Sequence, residues 1–180
     1  MTTDDQLMLQ FQQGSRAAFA ELFERYRDLI FGFFRRRLDH PARAEELTQE
    51  CFLALLRNLH RYQPRASFRS YLFGIATNMV MAERRKAARE NPAPESATAA
   101  LPASRGSDED AAMWVRAALE KLEPSDREIV MLREYEQLSY SEIAALLRIP
   151  VNTVRSRLFR ARMALRDQLI PAKDLERGQR

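Results

Sequence analysis

Apolar side chains recur every three or four residues through the first half of the chain, which is the spacing of one buried helix face. Residues 14–38 carry such a stripe at Phe19, Leu22, Phe23, Tyr26, Leu29, Ile30 and Phe33. Residues 42–59 carry a second stripe at Leu47, Cys51, Ala54, Leu55 and Leu59. A third begins at residue 68 and comprises Phe68, Leu72, Ile75 and Met79. The pattern predicts three consecutive amphipathic helices.

Boundary signals divide the last third of the chain into four further helices. Residues 111–122 are expected to form the first of them. Two Ser-x-x-Glu capping boxes, starting at Ser125 and Ser139, open the next two. Asn152 or Thr153 is expected to cap the last helix. Its apolar stripe is Val154, Leu158 and Ala161.

The stretch between these two groups of helices has a different composition. Residues 90–110, "ENPAPESATAALPASRGSDED", are rich in Pro, Ala, Ser and acids and have almost no large apolar side chain. Such a segment buries too little surface to offset its ordering entropy. We therefore predict a first domain over residues 1–90, a flexible linker over 91–110 and a second domain over 111–180.

The composition supports an all-α fold with two small helical domains. The 180 residues are 46% hydrophobic and 30% charged, and only 5 are glycine. Ala, Leu, Arg and Glu dominate, whereas clusters of β-branched residues are scarce. The net charge of +4 is modest, so its distribution along the chain matters more than its total.

Several classes of protein are disfavoured by the residues present. The single cysteine, Cys51, cannot form an internal disulfide, and the first residues, "MTTDDQ", lack the features of a secretion signal. No apolar run approaches the length of a membrane span, so a cytoplasmic protein is expected. His40 and His60 lie in different segments, and no catalytic motif, metal-ligand spacing or phosphate loop is present. Neither an enzyme nor a cofactor is expected.

The last predicted helix carries arginine at most of its outward positions. After a short helix and a turn, it matches a helix-turn-helix, whose second helix lies in the major groove of DNA. Side chains suited to base edges are Arg155, Ser156, Phe159 and Arg160. Those suited to phosphates are Arg157, Arg162 and Arg166. Acids are almost absent from residues 151–166, so ion pairs within the helix do not explain the arginines, and DNA binding is favoured over ordinary solvation.

The helix over residues 42–59 presents a different surface. Outside its apolar stripe lie Glu45, Glu46, Gln49 and Glu50, with Phe52 beside them. An acidic face should avoid DNA, and an aromatic residue ringed by polar groups suits a protein partner. A core position for Phe52, with ordinary solvation of the acids, is an equally good interpretation.

The third helix combines aromatic and basic residues. Its aromatic residues are Phe68, Tyr71 and Phe73. Asn78 follows, and the basic end comprises Arg84, Arg85, Lys86 and Arg89. Aromatic residues beside cations suit unstacked bases. Pattern alone slightly favours the alternative, in which the aromatics belong to the core and the cations complement the helix dipole.

In order along the chain, these segments resemble the bacterial sigma factors of the extracytoplasmic-function group. These are the two-domain members of the primary sigma family. "GSRAAFAELFERYRDLIFGF" resembles the first helix of sigma domain 2, and "AEELTQECFLALLRNLHRY" resembles its polymerase-binding helix. "FRSYLFGIATNMVMAERRK" resembles the promoter-melting helix, and residues 122–166 resemble sigma domain 4. The resemblance covers nearly the whole chain.

The resemblance implies an alternative sigma factor that confers promoter specificity on core RNA polymerase. Its implied partners are the β′ clamp helices and β flap of polymerase, promoter DNA and an anti-sigma protein. The residues implied for polymerase binding are Glu46, Gln49, Glu50 and Phe52. Those implied for the −10 element are Phe68, Tyr71, Asn78, Met79, Arg84 and Arg85. Those implied for the −35 element are Asn152, Thr153, Arg155, Ser156, Arg157, Phe159 and Arg160.

The chain departs from the family pattern at three positions. Arg148 and Asn152 stand where the family usually has Gly, and Tyr71 stands where Trp is common. A left-handed conformation at Arg148 costs roughly 1 kcal/mol relative to Gly, so a strained turn is expected.

Two other functions are compatible with part of the sequence. A stand-alone helix-turn-helix regulator would bind DNA without polymerase, but it has no use for the acidic face of residues 42–59. A sigma mimic that titrates anti-sigma proteins would not need Arg155 and Arg160. The promoter-specificity function is the one that uses both surfaces.

Overall fold

The protein is helical in both parts of the chain that its structure, a computed structural model, describes: residues 2–90 and 107–169. No strand occurs in either range, which confirms the predicted all-α fold. Contacts divide the chain into two compact units, Met1–Ala97 and Thr98–Arg180. Residues 91–106 of the predicted linker lie outside the described residues, and its last four residues, 107–110, are helical.

In residues 2–90, the described part of the first unit, four α-helices enclose a hydrophobic core. They are α1 (Asp4–Gln12), α2 (Arg16–Arg35), α3 (Pro41–Arg57) and α4 (Phe68–Glu90), with a short 3-10 turn, Leu59–Arg61, between α3 and α4. Helix α2 packs against the other three, because its apolar face is the longest. The largest fully buried side chains here are Tyr26, Phe33, Phe34, Phe68, Phe73, Met8, Leu22, Ile30, Leu47, Leu55 and Leu72.

Helix α1 was absent from the sequence prediction. Thr3 and Gln6 cap it reciprocally, since each side chain bonds to the backbone N–H of the other residue. Leu7, Met8 and Phe11 are buried against the neighbouring helices. The capping box is the signal in the sequence that would have located this helix.

The predicted apolar stripes are correct in outline and wrong at several positions. Leu29 is exposed on α2, and Phe34 is buried there instead. In α4, Ile75 and Met79 are only partly buried. The fully packed side chains of α4 are Phe68, Leu72, Phe73, Ala76, Thr77 and Val80. The difference arises because α4 packs on α1, α2 and α3 together, which widens the face it buries.

The second unit contains α5 (Ser107–Glu120), α6 (Pro124–Glu134), α7 (Tyr140–Leu147) and α8 (Val151–Leu169). Helix α8 packs against the other three helices of this unit, and α7 and α8 form the helix-turn-helix. The buried apolar side chains include Leu119, Leu122, Ile129, Leu132, Leu138, Ile143, Val154 and Leu158.

Of the predicted helix caps in this unit, the one at Ser139 is confirmed. Its side chain accepts a hydrogen bond from the Glu142 N–H, and the Glu142 carboxylate accepts one from the Ser139 N–H. The cap predicted at Ser125 is wrong, because Pro124 occupies the first helical position and the cap residue is therefore Glu123. The Glu123 carboxylate accepts from the Ser125 and Asp126 N–H groups, at 3.1 and 3.3 Å.

The cap predicted for α8 is also wrong. The helix begins at Val151, directly after Pro150, so Asn152 and Thr153 lie within its first turn. The Thr153 N–H donates to the Pro150 carbonyl at 2.9 Å. Neither side chain therefore has a capping role.

The turn between α7 and α8 has the left-handed conformation expected at Arg148. Arg148 has φ 55° and ψ 45°. Its N–H and that of Ile149 both donate to the Ala144 carbonyl, which closes the end of α7. A second non-glycine residue with positive φ, Gln137, lies between α6 and α7. The helix-turn-helix thus has a left-handed turn without glycine, and the backbone at Arg148 is strained.

Replacing Arg148 by Gly should raise the free energy of unfolding of the second unit by about 1 kcal/mol, since Gly adopts positive φ without a steric penalty. Thermal unfolding followed by circular dichroism measures the effect as a higher midpoint for this unit. Ala145→Gly is the matched control. It places glycine at an exposed helical position of α7 and should lower stability by a similar amount. A lower midpoint for Arg148→Gly would contradict the strain at this turn.

Candidate nucleic-acid interface

Helix α8 has one apolar side and one cationic side. Val154, Leu158 and Ala161 are buried against the other helices of the unit, at the spacing that keeps them on one face. The opposite side is exposed along its N-terminal half. We call this surface the α8 face; it comprises Arg155, Ser156, Phe159 and Arg160.

Phe159 is the most exposed large apolar side chain in the described residues, at 64%. It lies between Arg155 and Arg160 on a helix whose own core contacts are already satisfied on the other side. Folding of the unit does not explain why an aromatic ring is exposed to solvent on a helix face that also carries two arginines. This arrangement fits a surface that meets base edges and thymine methyl groups in the major groove.

Helix α6 supplies the acidic partners of Arg160 and Arg162. Arg162 pairs with Glu134 at 2.7 Å, and Arg160 lies 3.5 Å from the Asp126 carboxylate. The Arg162–Glu134 pair is exposed on both sides and is therefore weak. In the other pair Arg160 is exposed, whereas the Asp126 side chain is largely buried. The cations of α8 are therefore partly neutralised by a neighbouring helix in the free protein.

The remaining residues predicted to contact the −35 element lie outside the α8 face. Arg157 is partly buried, and its guanidinium donates to the Ser125 hydroxyl at the start of α6. Thr153 is also partly buried, whereas Asn152 is exposed and its side-chain oxygen lies 3.5 Å from the Arg155 guanidinium. Arg157 thus joins α8 to α6 and lies apart from the α8 face.

Helix α3 presents an exposed polar surface that comprises Glu46, Gln49 and Glu50. We call it the α3 face. Arg43, one turn before, donates to Glu46 at 2.9 Å and to Glu50 at 3.0 Å. The same guanidinium makes two hydrogen bonds to Glu83 of α4, at 2.6 and 3.1 Å, and these lower the pKa of the Glu83 carboxyl. The α3 face therefore already accommodates one cation.

Phe52 has the core position that the pattern left as one of two interpretations, so the polymerase contact that the resemblance implied for it is wrong. Its side chain is only 3% exposed and packs edge-on against Phe23, with ring centroids 4.8 Å apart. Helix α2 supplies this aromatic contact, which the sequence of α3 alone does not reveal. Leu53 and Leu56 are exposed instead, at 47% and 39%. Leu53 lies three residues after Glu50, so helical spacing would have placed it beside the α3 face.

Helix α4 exposes only part of the predicted −10 surface. Asn78, Arg84 and Arg85 are exposed, and Met79 and Tyr71 are partly buried. The Tyr71 ring packs against Tyr62, with centroids 5.2 Å apart. We call the exposed part, Asn78 with Arg84 and Arg85, the α4 face.

Phe68 is fully buried, so its predicted contact with DNA is wrong. Its ring lies edge-on to Tyr26, with centroids 5.2 Å apart, at the base of α4. Phe68 is the first residue of the helix and turns into the core, where α1 and α2 enclose it.

Each of the two units matches a known protein family. Residues 22–90 match the family described as Sigma-70 region 2, and residues 112–165 match Sigma-70, region 4. The RNA polymerase sigma factor CarQ of Myxococcus xanthus is 34% identical over 169 residues, which cover 90% of this chain and 95% of CarQ. The chain belongs to the extracytoplasmic-function sigma factors. Sigma factors of this family bind core RNA polymerase and promoter DNA and direct transcription initiation.

A longer sequence relative and a solved structure are also similar to this sigma factor. The ECF RNA polymerase sigma factor SigE of Mycolicibacterium smegmatis is 35% identical over 164 residues, 87% of this chain, which spans only 63% of SigE. The structure of CnrH in complex with the cytosolic domain of CnrY superposes with a TM-score of 0.68 at 25% identity. That alignment covers 91% of this sigma factor and 94% of CnrH.

The described residues of this sigma factor contain neither a membrane-spanning helix nor a metal-binding cluster of acidic, His or Cys side chains. Within residues 2–90 and 107–169, no helix has the length and apolar character needed to cross a membrane. The same residues contain no group of three or more His, Cys, Asp or Glu side chains that would hold a metal ion. Cys51 is buried, as predicted, and burial raises the pKa of its thiol to about 12, so it stays protonated at neutral pH.

Proposed function

We propose that this sigma factor divides promoter recognition among three of its surfaces and performs no covalent chemistry itself. The α8 face reads the −35 element as duplex, the α4 face holds the −10 element after strand separation, and the α3 face binds core polymerase. It acts in the cytoplasm, where polymerase and the chromosome are found. The observation that carries the proposal is the exposed Phe159 between Arg155 and Arg160.

At the −35 element, Arg155 and Arg160 bond to guanine edges, and Phe159 contacts a thymine methyl group. Both arginines are exposed and lie near the helix end that enters the major groove in a helix-turn-helix. Arg160 is exposed and lies 3.5 Å from Asp126, and on binding its guanidinium turns from that carboxylate to phosphate or base acceptors. Arg157 keeps α8 fixed on α6 through Ser125.

At the −10 element, Asn78 and the basic end of α4 engage the non-template strand. Arg84 and Arg85 are exposed cations that neutralise phosphates, and Asn78 is an exposed amide able to bond a base. The partly buried Tyr71, about two helical turns before Asn78, offers part of its ring for base stacking. These contacts offset the cost of unstacking, which is a few kcal/mol per base.

The α3 face binds the β′ clamp helices of polymerase, with Leu53 as its apolar contact in place of the buried Phe52. An exposed leucine among acids and an amide resembles the centre of a protein interface with a polar rim. The second unit additionally meets the β flap. An anti-sigma protein is proposed to cover these surfaces when the factor is inactive, since CnrH was solved in complex with the cytosolic domain of CnrY.

Transcription reconstituted with core polymerase tests the proposal. The full-length protein is added to core polymerase on fragmented genomic DNA, and transcript 5′ ends are mapped. New start sites that share two upstream elements are expected. The absence of any new start site, in a preparation free of inhibitor, would reject the function, whereas DNA binding without polymerase would favour the stand-alone regulator.

Reversing two charges on the α3 face should weaken binding to core polymerase. In Glu46→Lys with Glu50→Lys, two attractive contacts become repulsive and Arg43 also loses two of its acceptors. The affinity for core polymerase is expected to fall roughly tenfold or more. Titration of fluorescently labelled protein with core polymerase measures the change.

The matched control for this variant reverses two exposed acids with the same spacing on α2, Glu24→Lys with Asp28→Lys. It carries the same total charge and should bind core polymerase with near wild-type affinity. Equal losses in the two double variants would mean that net charge, and not the α3 face, governs the interaction.

A further inference from the structure

Helix α1 is bonded to the segment that connects α3 with α4. We call residues 58–67 the α3–α4 segment. The Asp5 carboxylate accepts from the Tyr62 hydroxyl at 2.8 Å and from the Phe68 N–H at 2.6 Å. The Gln12 side-chain amide donates to the carbonyls of Leu59 and Tyr62, at 2.8 and 3.0 Å. All four bonds are partly buried and join residues at least 47 positions apart in the chain.

The bonds from Asp5 act on both the segment and the start of α4. Phe68 is the first residue of α4, and its N–H has no partner within the helix, so Asp5 caps it. A carboxylate at this end is also favoured by the helix dipole. Burial and Asp5 raise the pKa of the Tyr62 hydroxyl, which therefore keeps its proton and donates it.

The neighbouring residue Asp4 holds α1 itself in place. Its carboxylate accepts from the Arg25 guanidinium at 2.6 Å and from the hydroxyl of buried Tyr26, both on α2. The two adjacent acids thus divide their roles: Asp4 bonds to α2, and Asp5 bonds to the α3–α4 segment and α4. Through Asp4 the rigid core of the first unit supports the contacts made by Asp5.

The α3–α4 segment lies directly before the helix that carries the α4 face. Its exposed side chains include His60, Arg61, Gln63 and Arg65. Its buried Tyr62 packs against Tyr71 of α4. The segment has no regular structure beyond one 3-10 turn, so its shape depends on contacts from outside it. The bonds from α1 hold the backbone at Leu59 and Tyr62, next to the exposed Arg61.

We propose that α1 positions the α3–α4 segment for the separated −10 strand, with Asp5 and Gln12 as positioning residues. This inference rests on the proposed function of α4. A segment already held in its binding conformation loses less conformational entropy when DNA binds. Removing the bonds from α1 should therefore impair strand capture while leaving polymerase binding and −35 recognition intact.

The test measures open complexes on a promoter found by start-site mapping. With full-length Asp5→Ala and core polymerase, permanganate reactivity of −10 thymines should fall about tenfold, as expected for two lost hydrogen bonds. Asp5→Asn should recover most of it, because the amide oxygen still accepts both bonds. Core affinity and binding to −35 duplex should be unchanged. A merely structural role would lower all of these together.

A second variant covers the case in which Asp5→Ala fails to fold. Gln12→Ala removes the two bonds at the other end of the segment without changing charge and should reduce open complexes severalfold. Gln10→Ala, on an exposed position of the same helix, is its matched control and should behave like wild type. Wild-type levels of open complex in Gln12→Ala, or in folded Asp5→Ala, would overturn the inference. Failure of wild-type protein to initiate at all would instead reject the proposed function.

Discussion

Replacing Arg155 and Arg160 together by Ala is expected to abolish transcription from the promoters of this sigma factor while core polymerase binding persists. Each arginine is exposed on the α8 face, and a good bidentate contact to guanine contributes about 1–3 kcal/mol. Loss of both corresponds to roughly 30-fold or more in promoter affinity. Both side chains are exposed, but Arg160 lies 3.5 Å from the largely buried Asp126 carboxylate, so circular dichroism first establishes that the double variant is folded.

Run-off transcription and a parallel titration with core polymerase separate these two effects. Arg116→Ala is the control, since it removes an exposed arginine from α5 and leaves the α8 face intact. It should transcribe at the wild-type level. If the double variant lost polymerase binding, or if Arg116→Ala were equally inactive, α8 would not be the −35 reader.

Phe52 and Leu53 are adjacent in sequence but should give opposite results when replaced by Ala. Phe52 is buried in an aromatic cluster with Phe23 and Phe19, so Phe52→Ala should lower the free energy of unfolding of the first unit by about 3–5 kcal/mol. Leu53 is nearly half exposed, and Leu53→Ala should leave stability within about 0.5 kcal/mol of wild type. Its affinity for core polymerase should nevertheless fall about fivefold or more, as for an apolar contact within an interface.

Chemical denaturation and polymerase titration together check this pair. Leu29→Ala, an exposed leucine on α2, is the control and should change neither stability nor affinity appreciably. A stable Phe52→Ala variant with weakened polymerase binding would restore the original assignment of Phe52 to the interface. Unchanged affinity for Leu53→Ala would remove Leu53 from it.

The buried and exposed sides of α8 could be predicted from the sequence because both depend on local spacing. Val154, Leu158 and Ala161 repeat at helical intervals, and arginines fill the positions between them. The left-handed turn at Arg148 was expected through the family resemblance, because the family usually has Gly at that position. The acidic character of the α3 face follows from the same periodicity.

Helix periodicity does not predict burial where a side chain can face either solvent or a neighbouring helix. Phe52 lies at the edge of its apolar stripe, where a small rotation of the helix decides between solvent and core. The Phe23 ring on α2 packs against Phe52 and places it in the core. Phe68 belongs to its own stripe, and only the family resemblance implied a DNA contact for it. Helix α1 was missed because its stripe is short, and its capping box at Thr3 and Gln6 was the stronger signal.

The sequence by itself determined the all-helical fold, the cationic side of α8 and the acidic side of α3, because each depends on residues within a few positions of one another. Only the tertiary structure decided which aromatics are buried and which charges are already paired. It brought Asp126 to Arg160, Glu83 to Arg43 and Asp5 to Tyr62. These partners are separated by 34 to 57 positions, and only packing between helices brings such side chains within hydrogen-bonding or ion-pair distance.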